Sequence, residues 1–137
     1  MIEVSEGNHS PIERITSRGA PNPQGPYSHA VKAGGFVYVS GQAALDPETS
    51  EPIGGTVAEE TRRTLENLKA ILGSSGASLD DVVKCSVFLA DIRDFAAMND
   101  VYAEYFGHAK PARTTVQACL PAPGLKVEID CVAYVGA

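Results

Sequence analysis

The chain of 137 residues is 44% hydrophobic and 20% charged, enough apolar content for one domain with its own core. Its formal net charge of -6, with basic residues scattered along the chain, repels phosphate backbones and argues against a nucleic-acid partner. No run of about 18 apolar residues occurs and no basic cluster leads into an apolar stretch near Met1, so no membrane partner is expected and the protein reads as soluble and cytoplasmic.

Residues 1–11 are polar and rich in turn formers, which reads as a loose arm ahead of a single domain spanning 12–137. Ile12 to Thr16 reads as a short edge strand. A Gly/Pro-rich loop, Arg18 to Pro26, leads into Tyr27–Lys32, a Gly34-Gly35 turn and Phe36–Gln42, the pattern of a hairpin. Thr56-Val-Ala-Glu59 has capping-box spacing. Behind it Thr61, Leu65, Leu68 and Leu72 recur at helical period, which predicts a helix over about 57–75, with Glu59/Arg63 and Arg62/Glu66 as pairs on its wet side and an exit at Gly73 and Gly76.

Val82 to Ala90 reads as a strand with Val83, Cys85, Val87 and Leu89 on one face, and Asp91 or Asp94 can cap a second helix. The stripe Phe95, Met98, Tyr102, Tyr105, Phe106 reads as that helix's core face, stopped by Gly107. Two strands follow, Arg113–Leu120 and Leu125–Tyr134, separated by Pro121-Ala-Pro-Gly124. Leu125, Val127, Ile129, Cys131 and Ala133 point toward the helices, leaving Lys126, Glu128 and Asp130 on the other face, to which Arg113 and Gln117 are also assigned.

The order β-β-β-α-β-α-β-β without repeats implies an α+β two-layer domain, one mixed sheet with both helices on a single face. The opposite face mixes Tyr38, Phe88, Val132 and Tyr134 with charge, and burial against other copies of the chain resolves that mixture. Cys85, Cys119 and Cys131 have no C-x-x-C spacing and read as small buried hydrophobes. His9, His29 and His108 lie far apart, so no metal is expected.

Gly25-Pro-Tyr-Ser28, Val39-Ser-Gly-Gln42, Asn67-Leu-Lys-Ala-Ile71, Pro111-Ala-Arg-Thr114 and Lys126-Val-Glu-Ile129 stand in the order of the reactive-intermediate (enamine/imine) deaminase family, also called the YjgF/YER057c/UK114 family, which the chain resembles over about residues 15–135. The resemblance implies a chorismate-mutase-like fold and a homotrimer with clefts between neighbouring subunits. It also implies cofactor-free hydrolysis of 2-enamine and 2-imino acids, such as 2-aminoacrylate or 2-iminobutanoate, to 2-keto acids and ammonia. The family's carboxylate-gripping arginine matches Arg113 and its water-positioning glutamate matches Glu128. Its pocket tyrosine, serine-glycine pair and helix asparagine match Tyr27, Ser40-Gly41 and Asn99. Many members carry cysteine where this chain has Thr115, and there the backbone contact is the part expected to persist.

These residue types suit the chemistry. A guanidinium grips a planar carboxylate with two parallel hydrogen bonds, and a carboxylate in a partly dry cleft can orient and deprotonate water. The structural alternatives are a salt bridge between subunits for Arg113, an ion pair with Lys126 or with an arginine across a subunit seam for Glu128, loop packing for Tyr27, a bulge at Ser40-Gly41 and an exposed polar position at Asn99. Two other functions stay open: a regulatory module that senses small keto or imino acids, and a catabolic deaminase for a larger enamine acid.

Overall fold

Thr56 opens the first helix with the reciprocal cap its spacing predicts: its hydroxyl accepts from the Glu59 amide at 3.1 Å while Glu59 Oε1 accepts from the Thr56 amide at 2.8 Å. Helix α1 then runs Val57–Ser74 and ends where Gly76 takes a φ of 78° and the Ala77 amide reaches back to the Leu72 carbonyl at 2.8 Å. The computed structural model describes residues 11–136, so the expected arm, apart from Pro11, lies outside the described residues.

Strands β1 (Glu13–Ile15), β2 (Ala30–Ala33) and β3 (Phe36–Gln42) precede α1. β4 (Val82–Leu89), α2 (Phe95–Phe106), β5 (Ala112–Gln117) and β6 (Val127–Tyr134) follow it. One six-stranded sheet results, in the order β1-β2-β3-β6-β4-β5, antiparallel except for the β4–β5 pair. The β2–β3 hairpin turns at Gly34 and Gly35, whose φ values of 58° and 85° are those of a type I′ turn. Both helices cover one face, giving the expected two layers, and no helix among the described residues is long and apolar enough to cross a membrane.

The core lies between these layers. Leu65, Leu68, Ile71 and Leu72 of α1 and Met98 and Phe106 of α2 close over Val37, Val87, Leu89, Val127 and Ile129 of the sheet, all buried. Each such side chain removed from water stabilises the fold by about 1.5–3 kcal/mol before conformational entropy is counted.

The structure departs from the sequence expectations in several places. Val83 does not share the inward face of β4. The β4–β6 register slips between Val82 and Lys84, and this bulge leaves Val83 45% exposed. The helix pairs expected on α1 do not form: Arg62 bonds Glu104 and Glu66 accepts from the Tyr105 hydroxyl, both across to α2, while Arg63 turns to Asn67 one turn further along α1. Asp91 caps a 3₁₀ turn at Ile92–Asp94 ahead of α2, and Asp94 makes no side-chain cap. Phe95 is largely outside the core, which takes Val101 instead. Cys85 and Cys131 are buried as expected and their thiols are pushed up by desolvation, but Cys119 is exposed in the loop after β5.

The largest correction concerns β5. The last two strands are not neighbours, because β4 lies between them. Arg113 pairs with Cys85 in register, and Cys85 points toward the helices, so Arg113, Thr115 and Gln117 share the helix side of the sheet while Glu128 faces the open side. Gln117 confirms the parity, since its Oε1 accepts from the Ile92 amide at 2.8 Å beside α2.

Candidate active site

Two half-sites emerge, one on each side of the sheet. The first surrounds Arg113 at the outer strand. Its guanidinium lies over the Tyr102 ring at 4.7 Å and the Phe95 ring at 5.5 Å, a seat that orients the charge without neutralising it. No salt bridge among the described residues engages it. Asn99, Tyr102 and Lys110 line the same shallow groove of about 360 Å³. Thr115 follows on the same strand face, its Oγ1 buried and without a hydrogen-bond partner among the described residues. The Tyr102 hydroxyl is buried beside the Cys85 thiol; burial, followed by that contact, raises its pKa well above the ordinary phenol value. The aromatic stripe read from sequence as core thus also supplies the platform for Arg113.

The second half-site surrounds Glu128 on the open face. A cavity of about 400 Å³ is walled by Tyr27, Gly41, Ala43, Leu45, Pro52 and Glu128, with the Pro21–Gln24 loop at its rim. The Glu128 carboxyl is half-buried, and its pKa is raised first by desolvation and then by the nearby charge of Asp130. Lys126 does not neutralise it: the Lys126 amide and ammonium go instead to the buried Glu60, at 2.8 and 3.5 Å.

Ser40 and Gly41 form a bulge, since Val39 pairs with Cys131 and Gln42 with Ile129. This was the structural alternative for the pair, and it serves the site. A Cβ at Gly41 would stand 2.5 Å from Glu128 Oε2, so the glycine makes room for the carboxylate to lie against β3. Ser40 Oγ donates to the Ser28 carbonyl at 2.6 Å and holds the Tyr27 loop to the same strand. The Tyr27 hydroxyl accepts from the Gln24 amide at 3.0 Å, which leaves the ring 46% exposed at the cavity mouth.

His29 anchors the loop from beneath. Nδ1 accepts from the Ser17 amide at 2.9 Å and Nε2 donates to the Pro21 carbonyl at 2.6 Å, so both ring nitrogens are committed to structure. The structure therefore brings Tyr27, Ser40, Gly41 and Glu128 together, and Arg113, Asn99 and Thr115 together, but within one protomer it keeps the two groups apart. Leu45, Asn67 and the aromatic seat of Arg113 carry no motif of their own that marks them for a site. Asn67 stands in a family segment, and only its burial within α1 shows what it does.

A model of the family described as Endoribonuclease L-PSP matches residues 17–135. The chain belongs to that family, the YjgF/UK114 family. Among L-PSP relatives, a RutC family protein of Pyrococcus abyssi is 50% identical over 122 residues, 89% of this chain and 96% of the relative. Reactive Intermediate Deaminase A, chloroplastic, of Arabidopsis thaliana is 40% identical over 88% of this chain and 65% of its own length. The crystal structure of RidA from an Antarctic Psychrobacter matches this L-PSP member with a TM-score of 0.85 at 43% identity, covering 90% of this chain and 99% of that one. E. coli TdcF with bound serine matches at a TM-score of 0.82 and 36% identity, over 89% and 98% of the two chains.

If the Glu128 carboxylate takes part in the chemistry of this cavity, Gly41→Ala should displace it and lower turnover roughly ten- to hundredfold, as small misplacements of a reacting group do. The melting temperature should change little, because the added methyl meets the mobile end of a side chain. Steady-state kinetics beside a thermal melt checks this, and unchanged turnover would remove the carboxylate from the chemistry.

Proposed function

We propose that the chain is a cofactor-free deaminase that hydrolyses 2-imino and 2-enamine acids to 2-keto acids and ammonia, in a cytoplasmic homotrimer whose sites lie between subunits. One observation carries this reading: Arg113 has no carboxylate partner and Glu128 no cationic partner among the described residues, and the two lie on opposite faces of one sheet. A second copy that packs its Arg113 edge against the open face completes the pair. The open face is suited to cover, since Tyr38, Val116 and Tyr134 are 47%, 42% and 49% exposed there. A relative named a reactive intermediate deaminase and another crystallised with serine, a small 2-amino acid, support the substrate class.

In this reaction Arg113 holds the substrate carboxylate with its fork of donors, which places the imine carbon beside Glu128. Glu128 accepts a proton from water as the water oxygen bonds to that carbon. The same carboxyl returns that proton to nitrogen to give a carbinolamine, then takes the proton of the new hydroxyl and passes it to the amine as the C–N bond breaks and the C=O bond forms, so that ammonia and the keto acid leave. Desolvation suits Glu128 to both steps, because a raised pKa makes the carboxylate a better base. Tyr27 covers the mouth against bulk water.

Coupling a pyridoxal-phosphate dehydratase to the protein and timing keto-acid formation tests the activity; an unchanged rate would leave the regulatory-module reading. Light scattering should give three times the protomer mass at micromolar concentration, and a fully active monomer would refute the shared site.

A further inference from the structure

We propose that Asn67, which lies on α1 outside the cavity lining, governs side-chain selectivity by fixing the cavity wall at residues 43–45; this rests on the imine-hydrolysis reading above. Asparagine is a weak helix former, yet Asn67 is fully buried in mid-helix. Its carboxamide is saturated. Nδ2 donates to the Ala43 carbonyl at 3.1 Å and the Leu45 carbonyl at 3.0 Å, and Oδ1 accepts from Arg63 Nε at 3.2 Å and Nη2 at 3.0 Å. Arg63 offers only donors, so it dictates which end of the amide faces the wall.

The segment so held has left the sheet ladder at Gln42 and is otherwise tied by few bonds. The Leu45 amide donates to the Ala43 carbonyl at 2.8 Å, and the Ile53 amide donates to the Ala44 carbonyl at 3.0 Å. Ala43 and Leu45 both line the cavity that holds Glu128. A helix side chain therefore clamps two carbonyls of a short irregular segment while that segment's side chains bound the space beside the reacting carboxylate. A substrate side chain that extends past the imine carbon on this side meets a wall whose position Asn67 sets.

Asn67→Asp keeps an acceptor for Arg63 but replaces the two donated bonds with a carboxylate facing two carbonyls, which releases the wall. The test compares kcat/KM for two imino acids made in situ by an L-amino acid oxidase, one from 2-aminobutanoate and one from leucine. Wild type should favour the shorter substrate, and Asn67→Asp should reduce that preference roughly tenfold, the scale on which apolar pockets discriminate by side-chain size, with the change in KM for the longer one. Arg63→Ala, at a half-buried position that leaves Asn67 in place but unoriented, should shift the preference in the same direction by less. Leu45→Ala, which moves the wall directly, should reproduce the shift.

Equal losses on both substrates with a lowered melting temperature, or an unchanged preference in Asn67→Asp while Leu45→Ala shifts it, would overturn the assignment. If wild type hydrolyses neither imine, the deaminase reading fails on its own. The same variants are then compared by calorimetry with 2-oxobutanoate and 4-methyl-2-oxopentanoate, and the ratio of affinities decides the role of Asn67.

Discussion

Arg113→Ala should lower imine hydrolysis roughly hundredfold, a loss on the order of 3 kcal/mol of transition-state stabilisation, because no water reproduces a fixed fork of charged donors in a partly dry cleft. The seat on Tyr102 and Phe95 makes lysine a poor substitute. The guanidinium lies over both rings and its planar fork offers paired N–H groups, whereas an ammonium keeps the charge and loses the planar geometry. Arg113→Lys should therefore recover little. Kinetics must be read beside oligomer size and melting temperature. If Arg113 serves as a salt bridge between subunits, the alanine variant will dissociate and melt earlier together with its loss of activity. An intact oligomer with normal turnover in Arg113→Ala would sink the deaminase assignment.

Glu128→Gln should keep affinity for a 2-keto acid and lose most turnover, since the amide preserves shape and removes the base. Its pH behaviour separates this from a packing role. Burial raises the pKa of the Glu128 carboxyl, and the active form is the ionised one, so activity falls as pH drops through a value above the ordinary carboxylate range. A guanidinium brought across the subunit seam favours the ionised form and pulls that limb down. The residual activity of Arg113→Ala should thus show its acidic limb at higher pH than wild type, while Arg113→Lys should not. The stability sign is opposite. A carboxyl whose pKa rises on folding binds its proton more tightly in the folded state, so its contribution to stability is lost as pH rises through the folded value, and Glu128→Gln should flatten that dependence. An acidic limb at the same pH in wild type and Arg113→Ala would assign Glu128 to structure.

Much of this molecule was legible in local sequence because the signals are local. Capping-box spacing placed the start of α1, the Gly34-Gly35 pair placed a turn that needs positive φ twice, and the alternation from Val127 to Ala133 named the inward face of β6. The family motifs likewise named both charged groups. Alternation could not say which parity of β5 turns inward, because Arg113, Thr115 and Gln117 are polar and Thr114 and Val116 scarcely less mixed. That choice was made by pairing: β4 inserts between β5 and β6, Arg113 comes into register with Cys85, and an aromatic platform on α2 accepts the guanidinium on the helix side. Buried polar residues escaped the pattern for a related reason. Glu60 and Asn67 carry no apolar signal, and their partners lie far off in sequence: Lys126 stands 66 positions after Glu60, and Ala43 stands 24 positions before Asn67. By itself the sequence determined the order of the elements and the inward face of β6, and it named Arg113 and Glu128 as candidates. Only the tertiary structure decided that Arg113 and Glu128 stand on opposite sides of one sheet, because strand order and register are set by contacts between distant segments that no local period encodes.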